Sequence, residues 1–346
     1  MYISIIIPTF NRADLLASTI NSIFSKSTSS VVFEVIVIDN GSTDTTKEVC
    51  STYEKKHSNF SYFFDATPGL LTGRHKGAEE AKGEILTFID DDVIVSSEWL
   101  QTIADTMYNK PNIMFLTGPN LPLYESYPPE WLNYFWSNNE YGKECGWLSL
   151  IDFGTTIQEI HPRYVWGLNY TIRKTAFEQL GGFHPDNISK AFQHFQGDGE
   201  SGLCIKGVEQ NMKALYHPGA MVYHQIPNTR LTYEYFDNRA YYQGVCDSYT
   251  NFRKQEGLYK KIANSNPRNL FGRVKNIVSY KLQKIKNSYN KKETIPNEIQ
   301  LLFQRFEQKR IEGYNFHQQA FTQNNDVREW VLKQDYFNYQ LPSTKI

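Results

Sequence analysis

Three consecutive aspartates interrupt an apolar stretch of this chain in the segment FIDDDVIV, residues 88–95. At an effective dielectric constant near 20, two full charges about 4 Å apart repel by roughly 4 kcal/mol. Folding alone would not favour that arrangement, whereas a divalent cation with its preference for oxygen ligands would remove the repulsion. We therefore expect a metal site here; the alternative is a plain acidic turn after a strand. Strand alternation predicts Asp90 and Asp92 on one face and Asp91 on the other.

Two further side chains have the chemistry to bind a nucleotide. Asp39 ends the run VVFEVIVID and precedes an Asn40-Gly41 turn, so its carboxylate could accept hydrogen bonds from a nucleobase or from ribose hydroxyls. The alternative is an acid that caps the turn before a helix. Arg74, in TGRHKGAEEAKG, lies just before the fourth apolar run, where a cation could reach a phosphate. The alternative there is a solvated helical face.

A second acidic cluster lies in GDGESG, residues 197–202, which formally matches the dinucleotide-binding pattern G-x-G-x-x-G. The preceding residues, AFQHFQ, are not an apolar strand, and a pyrophosphate would meet Asp198 and Glu200, so we reject that interpretation. An acid-bearing loop before the helix GLCIKGVEQ instead offers a candidate general base. The alternative is a flexible glycine turn with solvated acids.

The elements that must position these residues alternate along the first 120 residues. Apolar runs at 3–10, 31–39, 60–64, 84–89 and 112–118 predict strands, and helical spacing or helix-start signals lie between them. Repeated βαβ units predict a doubly wound, mainly parallel sheet. In such sheets ligands bind beyond the carboxyl ends of the strands, so Asp39 and the aspartate triplet should surround one crevice.

Bulk composition excludes several classes of protein. The chain has 346 residues and a net charge of −1, with no recognition motif for nucleic acid, so we expect no nucleic-acid partner. No segment approaches 18 uninterrupted apolar residues, and the N-terminus lacks the features of a signal peptide. The cysteines have no metal-ligand spacing and read as reduced, buried residues of a cytosolic protein. They are Cys50, Cys145, Cys204 and Cys246.

Five segments resemble, in the same order, those of family 2 glycosyltransferases, the large inverting group with the GT-A fold. The resemblance covers about residues 3–226. SIIIPTFNR resembles the opening strand, EVIVIDNGSTD the nucleotide-binding turn, and GRHKGAEEAKGEILTFIDDDV the segment that ends in the D-x-D motif. WGLNYTIRKTAFEQLGGF resembles the acceptor-side segment, and GDGESGLCIKG with HPGAMVYH resembles the late acidic loop and terminal strand.

The resemblance implies an α/β fold with a mixed, mainly parallel sheet flanked by helices. It implies a GT-A domain over 1–228, with a nucleotide-sugar half at 1–120 and an acceptor half at 121–228, followed by a mostly helical region at 229–346. The implied activity is hexosyl transfer with inversion from a nucleotide-diphosphate donor, usually a UDP-sugar, to a hydroxyl of a saccharide or lipid-linked acceptor. It would serve the synthesis of cell-surface polysaccharide or glycans and use Mn²⁺ or Mg²⁺.

Carried over by position, the resemblance implies roles for individual residues. Asp39 would contact the base, most often uracil, and Asp92 would bind the metal. His224 occupies the place of a histidine near the metal or diphosphate, with a core or turn histidine as the alternative. Trp166 and Asn169 would flank the acceptor pocket, although Trp166 could serve ordinary packing. The residues implied for the nucleotide sugar are Pro8, Thr9, Arg12, Asp39, Gly41, Arg74, Asp90 and Asp91.

The catalytic base departs from the family pattern, which has an E-D pair in the acidic loop. Gly199 stands where the family has Glu. Because the family's Asp lies six residues before a basic residue, counting back from Lys206 gives Glu200. We therefore predict Glu200 as the base and keep Asp198 as the second candidate.

Two other interpretations of the acids are open. A D-x-D after a strand also opens haloacid-dehalogenase-like phosphatases, whose first Asp is a nucleophile, but there it ends the first strand of the domain and not the fourth. A non-catalytic, sugar-nucleotide-binding relic of the same fold would also keep the donor-side acids. Hydrolysis of a simple phosphate ester would favour the first interpretation, and donor binding without turnover the second.

The C-terminal third is strongly basic in one segment. Between residues 253 and 292 there are 12 Lys or Arg and one acid, Glu256. Residues 270–289, LFGRVKNIVSYKLQKIKNSY, predict a basic amphipathic helix that could lie on an anionic membrane. We favour the alternative, a helix packed on the catalytic domain with a solvated basic face. We accordingly expect a cytoplasmic protein, peripheral at the inner face of the membrane if the first alternative holds.

Overall fold

The computed structural model describes residues 1–26, 30–259 and 295–342. Its N-terminal part alternates strands and helices, and the five predicted strands are present with ends within one residue of those predicted. The elements are β1 (Tyr2–Thr9), α1 (Ala13–Lys26), β2 (Val32–Asp39), α2 (Thr46–Lys56), β3 (Phe60–Phe64), α3 (Leu70–Glu80), β4 (Ile85–Ile89), β5 (Val93–Val95), α4 (Trp99–Asn109) and β6 (Ile113–Thr117). The short strand β5, directly after the aspartates, was not predicted.

The segment that the sequence left irregular, 119–162, contains short strands joined by turns. Longer elements resume after it, including one helix that starts in the acidic loop. The remaining elements are β7 (Asn120–Tyr124), β8 (Ser137–Asn138), β9 (Lys143–Cys145), β10 (Leu150–Asp152), β11 (Gln158–Ile160), β12 (Asn169–Arg173), α5 (Lys174–Gln179), α6 (Gly199–Glu209), β13 (Lys213–Tyr216), β14 (Val222–Ile226), α7 (Tyr233–Gln255), α8 (Asn297–Gln323) and α9 (Asn325–Val331).

The main sheet has 8 strands in the order β11-β13-β6-β12-β4-β1-β2-β3. β1 pairs in parallel with both β2 and β4, and β2 with β3, whereas β12 runs antiparallel between β4 and β6. The predicted mixed, mainly parallel sheet is therefore confirmed. Its central strands are buried on both faces, and this explains why they read as near-continuous apolar runs.

A second sheet of 6 strands, in the order β5-β14-β7-β10-β9-β8, lies beyond the ends of the main sheet. β4 belongs to the first sheet and β5 to the second, so the aspartates between them sit where the chain passes from one sheet to the other. β14 pairs with β5, with His224 opposite Val93. Thr9 and Asp39 are paired at the ends of β1 and β2. The topology thus gathers the predicted strand-end residues at one edge.

The predicted helical C-terminal region is present as α7, α8 and α9. α7 and α8 cross closely because Gly244 faces the carbonyl of Arg310 and Gly313 faces that of Tyr241, where a Cβ would collide with the backbone. The predicted basic helix at 270–289 lies outside the described residues. Within the described ranges, no helix combines the length and the apolar character needed to cross a membrane.

Candidate active site

The aspartate triplet forms a turn after β4, not a continuation of the strand. Because β4 ends at Ile89, strand alternation does not extend to the triplet, and the predicted grouping of Asp90 with Asp92 is wrong. Asp91 and Asp92 instead share one cation: Nη1 of Arg12 lies 2.7 Å from Oδ1 of Asp91 and 2.9 Å from Oδ2 of Asp92. Asp90 faces away from them, with Oδ1 3.6 Å from Nη2 of Arg74.

The repulsion among these acids is offset by the arginine side chains that contact them. Asp92 is 1% exposed, and its Oδ2 also lies 2.8 Å from Nη2 of Arg230. Burial would raise the pKa of Asp92, but the charges of Arg230 and Arg12 hold it below its ordinary value. Burial raises the pKa of Asp91 to about 6 against the opposing charge of Arg12. A plain, solvated acidic turn does not describe this site, because two of its three acids are buried.

The pair Asp92 and His224 has the chemistry of a metal site. Oδ1 of Asp92 is buried without a hydrogen-bond partner and lies 3.6 Å from Nε2 of His224. Nδ1 of His224 lies 2.9 Å from the carbonyl oxygen of Leu148; a carbonyl only accepts, so Nδ1 carries the proton and Nε2 presents a lone pair. Nη1 of Arg230 lies 2.6 Å from that Nε2. These two ligands fit a divalent cation that completes its shell with phosphate oxygens and water.

Metal binding by protein side chains alone is not supported. Among the described residues, no group of three or more His, Cys, Asp or Glu side chains is arranged to hold an ion. Asp90 and Asp91 are turned toward Arg74 and Arg12 respectively. The prediction that Asp92 and His224 are the protein's ligands is consistent with this geometry and stays a prediction.

A cavity of about 610 Å³ opens at the carboxyl ends of β1, β2 and β4, and we call it the strand-end cavity. Most of the residues predicted to bind a nucleotide sugar line it. They are Pro8, Thr9, Arg12, Gly41, Asp90 and Asp91. Asn40, Ala66 and residues 68–70 also line it.

Asp39 lies behind this cavity and is 1% exposed. Its Oδ1 accepts a hydrogen bond of 2.7 Å from the backbone N–H of Ser42, so it closes the turn, as the capping alternative proposed. Its Oδ2 accepts a bond of 2.8 Å from the hydroxyl of Tyr62. The turn function is therefore observed, and contact of Asp39 with a base stays a prediction.

A second cavity, of about 450 Å³, contains Glu200, and we call it the Glu200 cavity. Glu200 lies in the first turn of α6. Its Oε1 accepts a bond of 3.2 Å from the backbone N–H of Gly167, and its Oε2 lies 3.4 Å from Nη1 of Arg74. A Cβ at Gly167 would collide with the guanidinium of Arg74, so this approach requires glycine. Arg74 is 3% exposed, and the solvated-face alternative for it is wrong.

Asp198, the other candidate base, is engaged by protein partners. Its Oδ1 lies 2.7 Å from Nδ1 of His184, and its Oδ2 accepts bonds of 2.8 Å each from the hydroxyls of Thr250 and Tyr259. Burial would raise the pKa of Asp198, but His184, Arg253 and these hydrogen bonds lower it. A carboxylate that is stabilised as the anion and enclosed by three partners is poorly suited to take a proton from a substrate.

The predicted acceptor residues occupy different environments. Asn169 is 1% exposed; its Oδ1 accepts from Nε1 of Trp99 at 3.1 Å, and its Nδ2 donates to the carbonyl of Ala220 at 2.9 Å. Both ends of this amide are thus used inside the protein, and Asn169 lines neither cavity. Trp166 is half-buried, packs against the main core and donates to the carbonyl of Arg163. Its neighbours Gly167 and Leu168, not Trp166, line the Glu200 cavity.

Comparisons with known proteins agree with this architecture. Residues 4–156 match the family model described as Glycosyl transferase family 2. Residues 4–156 are thus similar to family 2 glycosyltransferases. The chain also aligns with the solved structure of mannosyltransferase PcManGT from Pyrobaculum calidifontis, in complex with GDP-Man and Mn2+. The alignment covers 97% of this chain and 84% of that chain, with a TM-score of 0.50 and 13% identity. That likeness concerns the fold, and the fold is GT-A.

Two curated relatives are similar over different lengths. Glucosyl-dolichyl phosphate glucuronosyltransferase of Haloferax volcanii is 24% identical over 250 residues, which are 70% of this chain and 75% of the relative. GalNAc(5)-diNAcBac-PP-undecaprenol beta-1,3-glucosyltransferase of Campylobacter jejuni is 35% identical over 112 residues, which are 32% of this chain and 34% of the relative. The chain thus spans about a third of the second relative's length.

Several residues around the site were not found from the sequence. Arg230 lies on the turn after β14 and lines both cavities, and Asp186 and Arg239 line the Glu200 cavity. α7 supplies one wall of that cavity, although the predicted acceptor half ended at residue 228. In the sequence, polar and aromatic residues spaced three or four apart along α7 were the pattern that could have indicated this wall. Cys246 belongs to this wall and is half-buried, so the prediction of a buried thiol holds for the other three cysteines only.

Proposed function

We propose that the protein transfers a sugar, with inversion, from a nucleotide-diphosphate donor to a hydroxyl of a lipid-linked saccharide. One observation carries this proposal: the strand-end cavity and the Glu200 cavity share walls. A donor in the first cavity and an acceptor in the second would meet at the shared residues. These are Arg12, Leu70, Asp90, Asn187 and Arg230.

The chemistry at the junction is a single displacement. An acceptor hydroxyl in the Glu200 cavity gives its proton to the Glu200 carboxylate and attacks the anomeric carbon. The bond between that carbon and the diphosphate oxygen breaks, and the diphosphate leaves with the electron pair. Attack from the face opposite the leaving group inverts the configuration. Gly167 and Arg74 hold the carboxylate in place, and holding both substrates in line supplies much of the rate by proximity.

The leaving diphosphate is expected near Arg12 and Arg230, which line both cavities. A divalent cation held by Asp92 and His224 would neutralise charge on the diphosphate when bound. The two arginines now contact Asp92 and have further N–H donors available for phosphate oxygens.

The nucleotide of the donor and the class of the acceptor are proposed on separate grounds. We propose a UDP-sugar as donor, because the turn after β2, which places Gly41 in the strand-end cavity, resembles the family's segment that binds the base, most often uracil. The names of two relatives describe acceptors joined to a lipid through phosphate or diphosphate, so we propose the same acceptor class. The product would then be an intermediate of cell-surface glycan synthesis.

A phosphatase of the haloacid-dehalogenase type is the weaker alternative. Its nucleophile would be Asp90, the first acid of the triplet. Asp90 faces Arg74, the same cation that contacts Glu200. Asp90 therefore lies where the two cavities meet. The placement suits a residue that orients a sugar donor, and the family match favours transfer.

Activity with a panel of UDP- and GDP-sugars and short-chain glycosyl phosphate and diphosphate lipids tests the proposal. We expect Mn²⁺-dependent transfer by the wild type, and loss of about 100-fold to 10,000-fold in kcat for Glu200→Gln with unchanged UDP binding. Glu209→Gln, at the other end of α6, is the matched control and should keep its activity. Donor binding without turnover would favour the non-catalytic relic, and acceptor-independent hydrolysis of a phosphate ester would favour the phosphatase.

A further inference from the structure

One face of α7 forms a wall of the Glu200 cavity. The residues of this face recur at intervals of one to four, as expected for a stripe along one side of a helix. Their side chains combine two phenols, an amide, a hydroxyl, a thiol and a guanidinium, a set suited to a polar ligand. They are Tyr235, Arg239, Tyr242, Gln243, Cys246 and Thr250.

Arg239 differs from the other arginines of the cavity. Arg12, Arg74 and Arg230 each have a carboxylate within 4 Å. Arg239 has no ion pair and no hydrogen bond to any residue in the described parts of the chain. Its side chain is half-buried and lines the cavity.

Arg239 is a charged group at this position. Burial alone would lower its pKa, but Tyr235 and the carboxylates of Asp186 and Glu200 outweigh that effect and raise it. Oδ1 of Asp186 accepts hydrogen bonds from the backbone N–H of Asn187 and from Nε2 of Gln196. A half-buried cation that has no direct polar contact with the described residues has its N–H donors free for a ligand. An anionic oxygen is the partner that such a planar group binds best.

We propose that Arg239 binds the phosphate that joins the acceptor sugar to its lipid, so that the acceptor is a glycosyl phosphate and not a neutral glycoside. This inference rests on the proposed function. The acceptor sugar then lies between the phosphate on Arg239 and the hydroxyl that faces Glu200. Tyr235 and Tyr242, on the same helix face, offer aromatic surface to that sugar. Arg239 is a specificity-determining residue in this arrangement and does not take part in proton transfer.

Matched probes test the role of the phosphate. Farnesyl phosphodiesters of glucose, galactose and N-acetylglucosamine are compared with the neutral farnesyl glycosides of the same sugars, by calorimetry on protein saturated with UDP. We expect the wild type to bind at least one phosphodiester about tenfold or more tightly than its neutral partner, as a charge-assisted hydrogen bond allows. Arg239→Gln should bring that ratio close to one, and Arg239→Lys should keep part of it.

Arg305→Gln is the matched control. Arg305 lies on α8, where it contacts Asp237 of α7 outside the cavity, so its loss should leave the ratio unchanged. Since Arg239 makes no hydrogen bond within the described residues, Arg239→Gln should fold with an unchanged melting temperature. If the melting temperature of Arg239→Gln falls, Arg239→Met replaces it in the binding experiment. Equal binding of both probes by the wild type, or a ratio that survives in the folded Arg239 variant, would overturn the inference.

Transfer kinetics separate this inference from the proposed function. With a phosphodiester acceptor, Arg239→Gln should raise the acceptor KM about tenfold or more, with kcat and the donor KM little changed. Phosphate-selective binding that depends on Arg239, without transfer to any acceptor, would support the inference and contradict the proposed function. Transfer to neutral and phosphorylated acceptors with equal kcat/KM would support the proposed function and contradict the inference.

Discussion

Nη1 of Arg74 lies 3.4 Å from Oε2 of Glu200, although 126 residues separate the two in the sequence. Arg74 is almost fully buried, and its guanidinium lies over the ring of Phe183 at 5.0 Å from the centroid. Its other terminal nitrogen lies near Asp90. One cation thus links the acid proposed as base to the acid at the donor side, and this link makes several predictions.

Loss of the Arg74 cation should impair catalysis more than binding. We expect Arg74→Gln to lower kcat by about 10-fold to 100-fold, because Glu200 would lose a charge-assisted contact that orients it. Arg74→Lys should recover only part of the activity, since one ammonium group cannot reach both acids in the same geometry. Steady-state kinetics measures this. Lys76→Gln is the control: Lys76 pairs with Glu80 on the same helix, and less than a twofold change is expected. Equal losses at both positions would contradict the prediction.

The network around Asp198 should act on stability and on the position of α6. Thr250→Val removes a hydrogen bond to a buried carboxylate, and we expect a loss of about 1–3 kcal/mol in the free energy of unfolding. Denaturant titration measures it. Asp198→Asn should also be destabilising. It should lower kcat as well, because a shift of the start of α6 would displace Glu200. If Asp198→Asn abolished transfer with unchanged stability while Glu200→Gln stayed active, Asp198 would be the base.

Arg230 should bind the donor and compete with the metal for Asp92. In Arg230→Gln we expect UDP to bind about tenfold more weakly in the presence of Mn²⁺, because a charged contact to the diphosphate is lost. Mn²⁺ alone should bind more tightly, because one competing cation has left Asp92. Two calorimetric titrations separate these effects. Arg328→Gln, on the exposed side of α9, should alter neither, and unchanged UDP affinity in Arg230→Gln would contradict the assignment.

Acid should destabilise the fold through buried neutral histidines, and His317 tests this away from the site. His317 is fully buried on α8, with Nδ1 2.8 Å from the hydroxyl of Ser248, and burial lowers its pKa to about 3. Its ordinary value is 6.5, so below that pH protons bind the unfolded state preferentially. The contribution of His317 to the free energy of unfolding is then fully present above pH 6.5. It is lost as the pH falls toward 3, and the loss is about 2 kcal/mol at pH 5.

His317→Gln should therefore show a smaller loss of stability between pH 8 and pH 5 than the wild type, by about 2 kcal/mol. Urea unfolding at the two pH values measures the difference. The same substitution at His161, which is only half-buried, is the control and should change the pH dependence less. Equal pH dependence in the wild type and His317→Gln would show that His317 is not neutral in the folded protein.

The sequence was sufficient for the parts of the fold that depend on local patterns. Continuous apolar runs such as 31–39 and 84–89 marked buried strands, and the polar residues directly after them marked the strand ends. Because parallel strands bring their carboxyl ends to one edge, the crevice formed by Thr9, Gly41 and the aspartates followed from the order of elements alone.

Partners that come from distant parts of the chain could not be predicted in this way. Nothing local to Asp198 shows that Thr250 and Tyr259 fold back onto it, and Asn169 gives no sign in the sequence that its amide is used by Trp99. Strand alternation failed at the triplet because β4 ends one residue earlier, at the passage between two sheets.

The sequence by itself determined which residue types stand at the strand ends, since strand formation depends on short apolar runs. The tertiary structure alone decided how the charges pair: Arg12 and Arg230 with Asp92, Arg74 with Glu200, and Arg239 with none of the described residues. The physical reason is that an ion pair depends on distances between side chains. Those distances are set by the packing of helices and sheets far apart in the chain.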